Sequence, residues 1–269
     1  MVKALQTLPL VLGVAIAAVA APAQAGRSCE QRKPSVQSVA RGLELAQRTQ
    51  SALDASGAQV VVLARAGQDL GKYGIRWSHL GLAYRQAAAD GTVSWRVLHK
   101  LNQCGTAEAS VYRQGLGEFF LDDLWRYEAA WVIPSAQAQA GLLALLADDR
   151  RATALHHKPY SIVSYAWGMR YQQSNQWALE TLATALAPEA ISRERAQAWL
   201  QFKGYQPATL KLGPLTRLGG RVSAANVAFD DHPNEKRFSD RIETITVDSV
   251  FEWLQRSGLG GAPATLRLN

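Results

Sequence analysis

Apolar and polar positions follow two rhythms along this chain. In residues 37–56, Val39, Leu43, Leu45, Ala46, Leu53 and Ala55 recur at helical spacing until Gly57 stops the run, which predicts a helix. The β-branched run 59–64 (QVVVLA) predicts a buried strand, and a loop carrying Gly67, Gly71 and Gly74 follows. Residues 77–85 (WSHLGLAYR) and 92–101 (TVSWRVLHKL) read as successive strands joined through Asp90-Gly91, a hairpin signal. Further strands are predicted at 110–114 and 127–133, with 115–125 a short helix or loop between them. Ser135 caps a helix that continues as AQAQAGLLALLADD.

Beyond residue 150 the rhythm is mostly helical. In 174–187, Trp177, Leu179, Leu182 and Leu186 fall near one face before Pro188 ends the pattern. A serine-capped helix is predicted over 192–202, a charged loop over 230–241, a strand over 243–247 and a helix over 248–256 before a Gly/Pro-rich tail. The expected fold class is α+β, an antiparallel sheet packed against helices.

The longest apolar stretch stands at the start. In residues 1–25, Lys3 supplies a positive end, Leu8 to Ala21 an apolar core, and Ala23-Gln24-Ala25 a small-residue cleavage site. That is the pattern of a secretory signal peptide, with a core short for a bilayer span. Residues 26–269 are then expected as one α+β domain, periplasmic or secreted, with no integral membrane span once the signal is removed. Of the 269 residues, 48% are hydrophobic and 19% charged, which excludes disordered, collagen-like and disulfide-knot classes. The net charge of +7 gives a weak bias towards anionic envelope polymers. Acids and bases alternate in 230–241, a solvated pattern rather than a nucleic-acid face, so no nucleic acid is expected.

Export changes the meaning of the two cysteines. Cys29 and Cys104 would share an oxidising compartment, where a bridge closing so long a loop stabilises by roughly 4 kcal/mol in the chain-entropy account. Two buried free thiols are the alternative, because spacing alone does not bring the sulfurs together.

Candidate chemistry begins with the histidines. On strand 77–85, His79 shares a face with the small residues Gly81 and Ala83, leaving room for a cavity. On strand 92–101, His99 shares a face with Val97 and Trp95. A hairpin places the two imidazoles side by side as a base and its orienter. Ser174 opens the helix 174–187, where unpaired N–H groups and the dipole favour an oxyanion; Ser is also a favoured helix cap. Adjacent His156 and His157 point opposite ways on an extended chain and lack further ligands, so no metal is expected. His232, in DDHPNEKR, reads as a solvated loop residue.

WSHLGLAYR resembles the His-bearing strand of the circularly permuted branch of the NlpC-type papain-like superfamily. There a Ser-His-small-Gly-aliphatic strand comes first, a second polar residue follows on the next strand, and the catalytic Cys opens a later helix. His79, His99 and position 174 keep that order, which implies a permuted papain-like arrangement. More widely, ARAGQDL, SHLGLAYR, VLHKLNQCGTAEASVYRQGLGEFF, YQQSNQWALETL and RIETITVDSVFEWL resemble an uncharacterised family of secreted proteobacterial proteins (domain of unknown function 2145). One departure weighs against the superfamily's chemistry: Ser174 stands where a cysteine is expected. A thiol ionises readily beside His, whereas a hydroxyl acts only inside a matched site.

Two readings follow. In one, the cleft engages an amide or ester of the envelope, such as a peptide, a glycan-linked peptide or an acyl ester. If that cleft is catalytic, as a weak or degenerate hydrolase or acyltransferase, Ser174 attacks, His79 takes the proton and His99 orients His79, with no cofactor. In the other, the same fold is a non-catalytic binding or assembly protein.

Overall fold

The computed structural model describes residues 34–122 and 124–269. The expected signal segment 1–25 and Cys29 lie outside the described residues. The domain is α+β: a six-stranded sheet in the order β4-β3-β2-β1-β5-β8, with every neighbouring pair antiparallel and helices on both faces.

The chain enters through α1 (Val36–Ala55), capped by Ser35. It then forms β1 (Val60–Ala66), β2 (His79–Ala87), β3 (Val93–Asn102) and β4 (Ala109–Gly115). A short α2 (Leu116–Phe120) leads to β5 (Arg126–Val132), α3 (Ala136–Leu146) and α4 (Asp149–Thr153). After an irregular stretch come α5 (Ser174–Leu186), α6 (Arg193–Phe202), β6 (Ala208–Lys211), α7 (Pro214–Ser223), α8 (Asn234–Arg237), β7 (Arg241–Thr244), α9 (Val247–Arg256) and β8 (Ala264–Arg267).

The period-two alternation of the strands sorts side chains into two cores. On one face Val61, Leu63, Ala83, Val97 and Trp131 pack against Leu45 and Leu53 of α1 and Phe119 and Phe120 of α2. On the other face Val60, Val62, Leu80, Leu82 and Leu98 pack against Leu142 of α3, Trp177 and Leu182 of α5, and Trp253 of α9. Both sides of β1 are covered, which is why its sequence is apolar apart from Arg65.

The hairpin forms at Asp90-Gly91. Gly91 takes a φ of +83°, and Asp90 Oδ1 accepts from Thr92 N at 2.9 Å. Register Leu82↔Leu98 and Arg85↔Trp95 puts odd residues of both strands on the α1/α2 face. The supposed tail is not a loop throughout, because β8 pairs with β5 and closes the sheet edge. The 230–241 loop likewise holds α8 and the start of β7. Strands β6 and β7 pair apart from the main sheet, over a small core of Leu210, Leu212, Val227, Phe229 and Ile242. Among the described residues, no helix is long and apolar enough to cross a membrane.

Candidate functional site

The two hairpin histidines meet. His79 Nε2 and His99 Nδ1 are 2.8 Å apart, and His99 Nε2 lies 2.8 Å from Gln114 Oε1 on β4. With the Gln114 carbonyl as acceptor, His99 Nε2–H donates to it, and His99 Nδ1 accepts from His79 Nε2–H. The outer nitrogen of His79 is then left with its lone pair. Phe119 packs its ring against both imidazoles, with centroids 5.3 Å from His99 and 6.0 Å from His79. Arg65 pairs with His79 across β1 and β2, stacks on the Phe119 ring at 4.7 Å, and donates to Phe119 O and to Asp122.

Burial governs the charge of this cluster. It pushes the His79 pKa well below 6.5, and the Arg65 guanidinium and His99 push the same way. His99 is lowered to about 4, first by burial and then by Arg65, against the opposing hydrogen bond of Gln114. Both rings are therefore neutral near pH 7. The room expected beside His79 is taken up. A Cβ on Gly81 would lie 2.6 Å from Val97 Cγ1 and 3.1 Å from His99 Cβ, so the glycine admits neighbouring side chains rather than a ligand cavity.

Ser174 is the first residue of α5, whose apolar side chains belong to the core with Leu80 and Leu82, whereas the imidazoles pack beside Phe119 on the other sheet face. Burial pushes the Tyr160 phenol pKa up, against an opposing effect of the neighbouring Ser174. The cap of the helix is Gln173, whose side chain accepts from Asn175 N at 3.3 Å, and Asn175 Oδ1 accepts from Leu80 N at 3.2 Å. Of the three residues expected in one cleft, His79 and His99 are in contact, and Ser174 opens a helix packed on the other face of the sheet. Strand parity sends His79 and His99 to the α2 side and Leu80 to the α5 side, and the helix start is already engaged in local bonds.

The α5 face holds a buried polar network that the sequence did not announce. Lys100 donates to His157 O at 2.6 Å and to Gln172 Oε1 at 2.9 Å, and burial followed by the Arg193 charge lowers its pKa to about 7. Gln172 donates to Glu180, which pairs with Arg193 at 2.8 Å and accepts from Gln197 at 2.7 Å. These bonds fix the irregular 154–173 segment against α5. His232 is not solvated: it is buried, 2.9 Å from Asp231 Oδ1 and packed beside Tyr165. Cys104 is disulfide-bonded, and its expected partner, Cys29, lies outside the described residues.

At the sheet end where His79 begins β2, the loops leading to Arg76 and through Trp125 border two adjoining cavities. Their volumes are about 260 and 210 Å³, and they share Trp125 and Arg126. In the second cavity the buried Glu128 carboxylate lies 3.2 Å from Arg76, 3.4 Å from Arg267 and 3.9 Å from Arg126. Arg41 adds a fourth guanidinium, stacked over Tyr127 at 4.3 Å. Arg76, Arg126 and Arg267 share the one Glu128 carboxylate, and with Asp69 as the other acid lining the cavities the groove keeps surplus positive charge beside an indole that is 57% exposed. Sequence reading passed over these residues because they are far apart along the chain. The available signal was Trp125-Arg126 with Glu128, an indole and two charges at the head of an otherwise apolar strand.

A family model described as "Uncharacterized protein conserved in bacteria (DUF2145)" matches residues 52–254. No curated protein and no solved structure matches the chain.

Proposed function

The chain belongs to the uncharacterised bacterial family DUF2145, and from that premise, with the geometry, we propose that it is an exported, non-catalytic binding protein of the cell envelope. The observation that carries this reading is the packing of α5, the helix that Ser174 opens, on the sheet face opposite the imidazole pair. The side chains suited to nucleophile and base do not share a reaction volume. The disulfide at Cys104 supports an oxidising, periplasmic or secreted location.

The ligand is received in the arginine groove. Guanidinium forks at Arg76 and Arg126 suit a carboxylate, and the exposed Trp125 ring offers a flat apolar face to a sugar or peptide. A peptide attached to envelope glycan carries both features. The order of His-bearing strand, second His-bearing strand and helix, on which the permuted papain-like likeness rests, serves in this reading as a scaffold without the reaction.

The test is equilibrium binding of a glycan-linked envelope peptide to the mature protein, with the peptide examined afterwards for cleavage. The expected result is salt-sensitive binding that weakens by at least about tenfold in Arg76→Gln/Arg126→Gln, persists in Ser174→Ala, and returns the peptide intact. Cleavage or transfer that disappears in Ser174→Ala overturns the reading.

A further inference from the structure

Helix α7 (Pro214–Ser223) is built inside out. Its apolar residues Leu215, Leu218 and Val222 follow helical spacing, yet they are 84%, 60% and 80% exposed and join none of the packed cores. Its inward side is small or charged instead. Gly220 is buried, and Arg217 stacks on Phe229 and donates to the backbone oxygens of Lys236, Arg237 and Arg241. Those bonds hold the helix on the β6–β7 unit while its apolar stripe faces away. Phe238, following the Arg237 that receives Arg217, is 79% exposed as well.

The segment that carries the stripe is basic, although Asp240 of the adjoining loop lies 3.7 Å from Lys211. From Phe202 to Ser223 the chain carries Lys203, Lys211, Arg217 and Arg221 and no acidic residue. An exposed stripe of aliphatic side chains flanked by cations is the pattern of a helix lying in the plane of an anionic bilayer surface. We propose that α7 docks the protein onto an anionic lipid surface, with Leu215, Leu218 and Val222 entering the headgroup boundary and Arg221, on the same helix, meeting lipid phosphates. A second copy of the chain is the less suitable occupant, because a two-fold contact through this face would set its cations against their own copies.

The experiment is flotation of the full mature chain with phosphatidylglycerol-containing vesicles and, separately, pure phosphatidylcholine vesicles. The expected result is binding to the anionic vesicles only, weakened by salt. Binding falls at least about tenfold in Leu215→Ser/Leu218→Ser/Val222→Ser, and by a smaller factor in Arg221→Glu. These side chains are exposed, so an unchanged melting temperature shows that the variants remain folded. Failure to float with anionic vesicles, or flotation indifferent to the triple substitution, overturns the proposal. So does a triple variant that instead abolishes self-association or capture of an acidic protein, which would assign the stripe to a protein interface.

Discussion

His79 Nε2 lies 2.8 Å from His99 Nδ1, and both rings sit on the sheet face covered by α1 and α2. Gly81 makes the contact possible, because any side chain there would strike Val97 and His99. The pair is a buried, neutral hydrogen-bonded unit ending at Gln114, and its geometry has consequences for stability.

Acid should loosen the fold through these rings. His99 has a folded pKa of about 4 against an ordinary 6.5, so between those values only the unfolded chain holds the proton. Its stabilisation is complete above pH 6.5 and is lost as pH falls towards 4, by up to about 3 kcal/mol; His79, shifted the same way, adds to the loss. Urea unfolding at pH 7 and pH 4.5 reads the effect. The stability difference between the two pH values should shrink in His99→Asn, and an unchanged difference contradicts the assignment.

Two glycines on helices should respond with opposite signs. A Cβ at Gly141 on α3 would lie 2.2 Å from Ala185 O of α5, a backbone atom that does not yield without separating the helices. Gly141→Ala should therefore lower stability by about 1–3 kcal/mol despite its better helix propensity. A Cβ at Gly117 would meet only Leu43 Cδ2, at 3.6 Å, so Gly117→Ala should be neutral or stabilising by up to about 1 kcal/mol. Thermal melts of the two variants decide both.

The buried pair Glu180–Arg193 should be costly to break singly. The Arg193 side chain is 7% exposed and that of Glu180 fully buried. Glu180→Leu should lose about 3–5 kcal/mol by leaving a guanidinium uncompensated, while Glu180→Leu/Arg193→Met should recover part of the loss. Chemical denaturation of the single and double variants measures the coupling.

Reduction should also destabilise. Opening the disulfide at Cys104 is expected to cost about 2–5 kcal/mol, read as a lower unfolding midpoint with reductant; no shift would show that the bond constrains little.

The strands and the longer helices were legible because alternation and helical spacing directly encode which side is buried. Elements with weak patterns were not: β6 and β8 have four residues each, and the apolar stripe of α7 faces solvent, so periodicity could not mark its core side. The strand 59–64 was read two residues short. It continues through Arg65, whose guanidinium is buried against Phe119 and Asp122. The imidazole pairing was readable from hairpin parity. The place of Ser174 was not, because no local pattern says which face of a sheet a distant helix covers.

The central claim is that Ser174 and the imidazole pair are on opposite sides of the sheet. Thiol labelling of Ser174→Cys across pH, with and without His79→Gln, tests it most directly. The account predicts a reactivity profile that His79→Gln leaves unchanged, since any lowering of the thiol pKa there comes from the helix start alone. A thiolate reactive below neutral pH whose reactivity vanishes in His79→Gln would contradict it.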